Sequence, residues 1–154
     1  MSEIVLVSAE ICHSEMIWEW RNDPITRKMF VNGEKVSWEE HSSWYEKALL
    51  NNCRKLYLGK EGGIPIGIVR FNKCDNEEYV FDVSINISPE SRGKGFGKQL
   101  LNNGIRRLHK EVKNCKFIRA EVKTENEYSN KLFKSCGFIF IEDESGMNTY
   151  ELSI

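Results

Sequence analysis

The stretch INISPESRGKGFGKQLL, Ile85 to Leu101, joins an apolar alternation to a basic loop containing Gly93, Gly95 and Gly97, and then to the start of a helical pattern. Upstream, Tyr79 to Ser88 alternates: Tyr79, Phe81, Val83, Ile85 and Ile87 share one strand face, with Val80, Asp82, Ser84, Asn86 and Ser88 on the other. Downstream, Leu100, Leu101, Ile105, Leu108 and Val112 keep helical spacing, and Phe117 to Val122 is the next strand. The order strand, glycine loop, helix, strand therefore stands at the centre of the chain.

Two familiar phosphate loops are excluded. The dinucleotide pattern G-x-G-x-x-G fails because Lys98 stands at the last position counted from Gly93, and Leu100 at that counted from Gly95. The ATP-loop pattern would need a glycine at Arg92 and a hydroxyl residue at Gln99. Arg92-Gly93-Lys94-Gly95-Phe96-Gly97 remains, at a helix N-terminus. Its glycines let backbone N–H groups approach an anion, the helix adds its positive dipole end, and Arg92, Lys94 and Lys98 can contact phosphate oxygens from the rim. The plain alternative is a glycine turn with solvated lysines.

The rest of the chain supplies strands and helices around this joint. Ile4 to Val7 reads as a strand, and a helix after Ser14 carries Ile17, Trp18 and Trp20 and ends before Asp23-Pro24. Ser37-x-x-Glu40 is a capping box opening a helix with Trp38, Trp44, Tyr45, Ala48 and Leu49, whose polar face carries His41. Leu56 to Gly59 and Ile64 to Phe71 form a hairpin about Gly62-Gly63. Asn126, Ser129, Leu132, Phe133 and Cys136 mark a further helix closed by Gly137, and Phe138 to Ile141 pairs with Thr149 to Leu152 around Gly146.

Composition excludes several classes. The 154 residues, with no low-complexity linker, suit one domain, 1–154. A net charge of -1 gives no reason to expect a nucleic acid or an anionic membrane as partner. No apolar run approaches the roughly 20 residues of a membrane span, and the start is unlike a signal peptide, so the chain reads as cytoplasmic. Five cysteines without a Cys-x-x-Cys pair and three scattered histidines suggest neither a disulfide framework nor a metal.

SINISPESRGKGFGKQLL followed by AEVKTENEYSNKLFKSCGF resembles the GNAT family of acyl-coenzyme A dependent N-acetyltransferases. The resemblance implies an α/β fold: a mixed, mostly antiparallel, twisted sheet of about seven strands flanked by about four helices, with strands four and five splayed around the coenzyme. It implies that Arg92, Gly93, Lys94, Gly95, Phe96, Gly97 and Lys98 cradle the pyrophosphate of acetyl-coenzyme A, the sole cofactor, with no metal. Backbone amides near Asn86, Ile87 and Ser88 would face the thioester, and Asn126, Ser129 and Phe133 would complete the coenzyme site. Family members often carry a tyrosine acid where this chain has Phe133, so no acid is assigned.

Asp82 stands where relatives carry a carboxylate base, and Glu121 is the second candidate; either could instead form an interstrand charge pair with Arg70 or Arg119. WEWRNDPITRKMF and SWEEHSSWYEKAL are similar to N-acetyltransferases acting on nucleotide-linked 4-amino sugars in pseudaminic-type acid synthesis. Arg21, Asn22, His41 and Trp44 would then line the acceptor site, the arginine suiting a phosphate and the aromatics a sugar or base. The alternative for the last two is a core tryptophan and a surface histidine. The expected partner is thus a small amine, with a protein or peptide amine, or a non-catalytic coenzyme A module, as rivals. The chain is expected to be a monomer or homodimer.

Overall fold

Of residues 1–154, the computed structural model describes 3–30 and 33–154. One sheet of seven strands organises them, in the order β1-β2-β3-β4-β5-β7-β6. The strands are β1 (Ile4–Ser8), β2 (Arg54–Glu61), β3 (Ile64–Lys73), β4 (Val80–Ile87), β5 (Phe117–Lys123), β6 (Ile139–Glu144) and β7 (Met147–Ser153). The helices are α1 (Ser14–Asn22), α2 (Pro24–Met29), α3 (Trp38–Leu50), α4 (Phe96–Glu111) and α5 (Glu127–Ser135).

All neighbouring strands are antiparallel except β4 and β5, which run parallel and pair only from Val80↔Phe117 to Asp82↔Arg119. Beyond that point β4 stays with β3 as far as Ile87↔Gly67, while β5 stays with β7 as far as Lys123↔Met147. A wedge therefore opens between the two strands, with Asp82 at its apex. The parallel pairing follows from connectivity, since β4 reaches β5 through a long crossover containing α4 rather than a hairpin.

Two apolar layers flank the sheet. On one side α4 and α5 bury Leu100, Leu101, Leu108, Leu132 and Phe133 against Tyr57, Val69, Phe71, Phe81 and Val83. Each such side chain contributes roughly 2 kcal/mol of burial. Close approach of α4 requires Gly104, because a Cβ there would lie 2.8 Å from Val69 Cγ1. On the other side α1 and α3 place Ile17, Trp20, Tyr45 and Ala48 on Leu56, Leu58 and Ile68. The alternation of β4 is as expected for Phe81 and Val83, which are buried, and for exposed Asp82; however, Val80 and Ser88 are also buried, and Tyr79 lies before the strand with φ +71°.

Helix starts follow their capping residues. Ser37 Oγ accepts from the Glu40 amide at 3.1 Å to open α3. Asp23 both ends α1 and caps α2, its Oδ2 accepting from the Ile25 and Thr26 amides at 3.1 Å each, with Pro24 at the first helical position. This short helix is a fifth where about four were expected.

Candidate active site

The wedge between β4 and β5 continues into the glycine loop. Gly93 and Gly95 adopt φ of +74° and +80°, and Gly95 is the N-cap of α4, so the loop backbone turns its amides toward the wedge mouth. A Cβ built on either glycine would meet nothing within 4 Å, which leaves the space over the loop open. The Phe96 side chain does not line that space alone as expected of a cofactor residue: it is 5% exposed and packs in the core, so its contribution to the mouth is chiefly backbone. Gly97 is held close by Tyr128, whose hydroxyl would lie 2.3 Å from a Cβ there. The mouth, about 170 Å³, is bounded by Ile87, Arg92, Gly95, Tyr128 and Ser129.

Arg92 is turned partly inward. Its Nη2 lies 2.7 Å from Asp23 Oδ2 and donates to Thr26 Oγ1 at 2.5 Å, and Thr26 Oγ1 in turn reaches Asn86 Oδ1 at 3.4 Å. The glycine loop is thus linked through α2 to the splayed part of β4. Lys94 and Lys98 are exposed, and Lys98 borders an open basic groove of about 880 Å³ along the outer side of α4, with Arg106, Arg107 and Lys110.

Deeper in the wedge, a cleft of about 280 Å³ brings together Asp82, Glu121, Asn86, Asn126, Ser129 and Phe133. Both candidate carboxylates therefore border one space. Neither forms the interstrand charge pair that was the alternative. Arg119, level with Asp82, is instead held by Glu77 at 2.8 and 2.6 Å and by Glu151 at 3.3 Å, and Arg70 bonds Ser84 Oγ at 3.3 Å. Beside Asp82 is the Cys74 thiol, which burial and that carboxylate push up to about 12, so it stays protonated.

Backbone register identifies the amides that face the wedge. Ser88 N donates to Ile66 O at 2.8 Å across the β3 side, so alternation turns the Ile87 amide, and the Ile85 amide before it, toward the gap. Of the expected thioester-facing amides, Ile87 is free to do so and that of Ser88 is already bonded. Asn126 caps α5, its Oδ1 accepting from the Ser129 amide and its Nδ2 donating to Ser129 Oγ, both at 3.1 Å. Phe133 is 4% exposed and packs edge-on to Phe138 at 5.1 Å, so it offers the cleft an apolar wall and no proton.

On the polar face of β4, beneath α1 and α3, the acceptor-side residues separate. Asn22 does not face an open site: its Nδ2 donates to Val36 O and its Oδ1 accepts from Val36 N, each at 2.8 Å, pinning the chain before α3. His41 is not on a polar face but fully buried, at 0% exposure, with Nε2 donating to Ser14 O at 2.9 Å. Burial first, and then the charges of Arg21 and Arg70, lower its pKa below 6.5 despite the bond to Ser14, so it is a neutral imidazole. Trp44 is half-buried, with the guanidinium carbons of Arg21 and Arg70 at 5.6 and 5.1 Å from its ring centroid.

Asn130 is a residue the sequence pattern did not single out. Buried, it donates from Nδ2 to the Lys123, Thr124 and Asn126 carbonyls and accepts at Oδ1 from Tyr150 and Asn148, tying the end of β5 to α5 and β7. Its only sequence signal was a polar residue on the apolar side of a helix. Among the described residues, no group of His, Cys, Asp and Glu could hold a metal ion, and no helix is long and apolar enough to cross a membrane.

The model of the acetyltransferase (GNAT) family matches residues 14–138, which include the splayed strands, the glycine loop and α5. The chain belongs to the GNAT family. Among its relatives is an L-amino acid N-acyltransferase of Escherichia coli (strain K12), 26% identical over 113 residues that make up 70% of this chain and 63% of the relative. An L-methionine sulfoximine/L-methionine sulfone acetyltransferase of Salmonella typhimurium is 29% identical over 112 residues, again 70% of this chain and 63% of the relative. The match thus spans less than two thirds of either enzyme. The spermidine N-acetyltransferase of Vibrio cholerae, solved with CoA and spermine, superposes with a TM-score of 0.84 at 20% identity, over 99% of this chain and 95% of that one. This GNAT chain therefore shares the whole fold of that enzyme.

Proposed function

We propose that this GNAT protein, residues 1–154 acting as one cytoplasmic domain, transfers the acetyl group of acetyl-coenzyme A to a primary amine, and that the amine belongs to a nucleotide-linked 4-amino sugar. The observation that carries the reaction class is the wedge: a glycine loop at a helix N-terminus on its rim, an unpaired β4 edge along its wall, and Asp82 and Glu121 bordering its interior.

In this reading the loop backbone from Arg92 to Lys98 holds the pyrophosphate and the pantetheine arm enters between β4 and β5, where the Ile87 amide donates to the thioester carbonyl. The neutral amine attacks the carbonyl carbon, the C–S bond breaks, and the products are the N-acetyl amide and free coenzyme A. Asp82 accepts the proton the amine sheds, directly or through water, and Glu121 is the alternate acceptor. The leaving thiolate takes a proton from solvent, since Phe133 has none to give and a thiol of pKa about 8.5 leaves tolerably as the anion. Tyr128 sits at the loop against Gly97 and suits contact with the coenzyme.

The sugar acceptor is supported by the resemblance of the α1–α3 segment to amino-sugar acetyltransferases and by the aromatic and cationic wall of Trp44, Phe30 and Arg21 beside the wedge. A second reading, an amino-acid acceptor, is favoured by what the bacterial relatives are named for. Thiol release from acetyl-coenzyme A with a panel of nucleotide amino sugars, L-amino acids, spermidine and peptides separates them. Fastest turnover of a nucleotide amino sugar is expected; an amino acid or peptide outpacing every sugar overturns the sugar assignment.

A further inference from the structure

Asn86, on the unpaired part of β4, borders every space of the site: the mouth at the glycine loop, the cleft that holds both carboxylates, and a narrow recess of about 20 Å³ against Trp44. Its side chain therefore stands where the donor arm and the acceptor meet. The two polar ends of that side chain are engaged differently. Oδ1 lies 3.4 Å from Thr26 Oγ1 on α2. Nδ2 makes no hydrogen bond among the described residues, and it is not sealed from solvent, so it opens on the cleft.

The direction of the Thr26–Asn86 bond follows from the contacts behind it. A guanidinium can only donate, and Arg92 Nη2 donates both to Asp23 Oδ2 at 2.7 Å and to Thr26 Oγ1 at 2.5 Å. The Thr26 oxygen thus accepts from Arg92, and its single proton is left to pass on to Asn86, where only the oxygen end of the carboxamide can accept it. Thr26 is 3% exposed, which keeps solvent from taking that proton. Asp23, Arg92 and Thr26 together set the Asn86 carboxamide with Oδ1 toward α2 and the NH₂ toward the cleft. Both Arg92 bonds use Nη2, so Nε and Nη1 remain for the coenzyme pyrophosphate.

We propose that Asn86 Nδ2 donates a second hydrogen bond to the thioester carbonyl, beside that of the Ile87 amide, and that Thr26 is the positioning residue that keeps this donor aimed. This rests on the acetyltransferase reading and deepens it. The Ile87 amide faces the gap, and its nitrogen is only two covalent bonds, about 2.4 Å, from Asn86 Cα. A carbonyl oxygen held by that amide is therefore within reach of the Asn86 side chain. The NH₂ has only protons to give and can take none from the attacking amine, so it suits an oxygen rather than the nucleophile. As the amine attacks, the C=O electron pair moves onto that oxygen, and both hydrogen bonds strengthen more in the transition state than in the ground state. A reversed carboxamide would turn Oδ1 against the same growing charge, which is what the bond from Thr26 prevents.

The direct readout is the carbonyl stretch of bound acetyl-coenzyme A, labelled with carbon-13 at the thioester carbonyl and measured by infrared difference spectroscopy with no amine present. Hydrogen bonding lowers this frequency. The unmodified protein is expected to hold the band below that of free acetyl-coenzyme A, Asn86→Ala and Thr26→Val to return it part of the way, and Thr26→Ser to restore it. An Asn86→Ala band identical to that of the unmodified protein overturns the proposal, and a Thr26→Ser band no different from that of Thr26→Val overturns the positioning role. In thiol release with the fastest amine, Asn86→Ala should lose roughly 10²-fold in kcat and Thr26→Val about 10-fold, each with the amine KM within about 2-fold. A raised amine KM with kcat retained would assign Asn86 to the acceptor and overturn the proposal. Should Asn86→Ala fail to fold, the comparison of Thr26→Val with Thr26→Ser decides, since both leave Asn86 in place. An unmodified protein that binds acetyl-coenzyme A yet releases no thiol with any amine would instead bring down the acetyltransferase reading, and the carbonyl band would still report on Asn86.

Discussion

Asp82 lies at the apex of the wedge, exposed on the polar face of β4, beside a protonated Cys74 and free of the arginine opposite it. Replacing it by Asn should lower kcat/KM by roughly 10²-fold, the scale of a lost general base, and the deficit should shrink as pH rises and more amine is already neutral. A pH-independent deficit would shift the role to Glu121. His41 gives a stability prediction. Its folded pKa is depressed below 6.5, so the unfolded chain binds the proton more readily, and stability present above about pH 6.5 is lost as pH falls toward the folded value. Melting temperature should drop over that range, and His41→Asn should flatten the slope. At this scale the sequence was readable for Asp82, because strand alternation assigns a face. It misled for His41: a polar side chain at helical spacing beside Trp38 and Trp44 reads as solvated, and only the packing of α1 over it reveals burial.

The glycine loop and α2 act as elements rather than as single residues. Gly95 holds φ +80° at the start of α4, a conformation a β-branched residue avoids, and a side chain there would project into the open space over the loop. Gly95→Val should therefore weaken acetyl-coenzyme A binding by calorimetry, and unchanged affinity would remove the loop from the coenzyme site. Asp23 caps α2 and pairs with Arg92. Burial works against its charge, but the hydrogen bond and charge of Arg92 and the Thr26 and Ile25 amides outweigh this and hold its carboxyl below the usual range. The contribution is present above the unfolded pKa of about 3.9 and fades as pH falls through the folded value, so Asp23→Ala should lower stability by about 1 kcal/mol at neutral pH and blunt the acid limb of denaturation. Such a loss without any change in coenzyme affinity would mean that α2 is not coupled to the loop. The helix escaped sequence reading for a definite reason. Asp23-Pro24 is both a stop for α1 and a cap with a first-turn proline for α2, and six residues are too few to display a period.

Across the whole molecule, the elements were legible one by one because each carries its own punctuation: Ser37 before α3, Gly62-Gly63 between β2 and β3, Gly146 between β6 and β7. Their arrangement was not. Nothing in local periodicity places β7 between β5 and β6, or limits the β4–β5 pairing to its first three residue pairs; the family resemblance implied only that strands four and five splay, and the contacts that enforce the arrangement, such as Asn130 bridging α5 and β7, join positions distant in the chain. The central claim is that this wedge joins an amine to an acetyl group. The most direct measurement is mass spectrometry, coupled to thiol titration, of a reaction holding only the protein, acetyl-coenzyme A and a nucleotide-linked 4-amino sugar. The account predicts one free coenzyme A thiol for each sugar that gains an acetyl amide, with both lost together in Asp82→Asn at neutral pH; thiol release no faster than the protein-free blank, here and with every other primary amine, would contradict it.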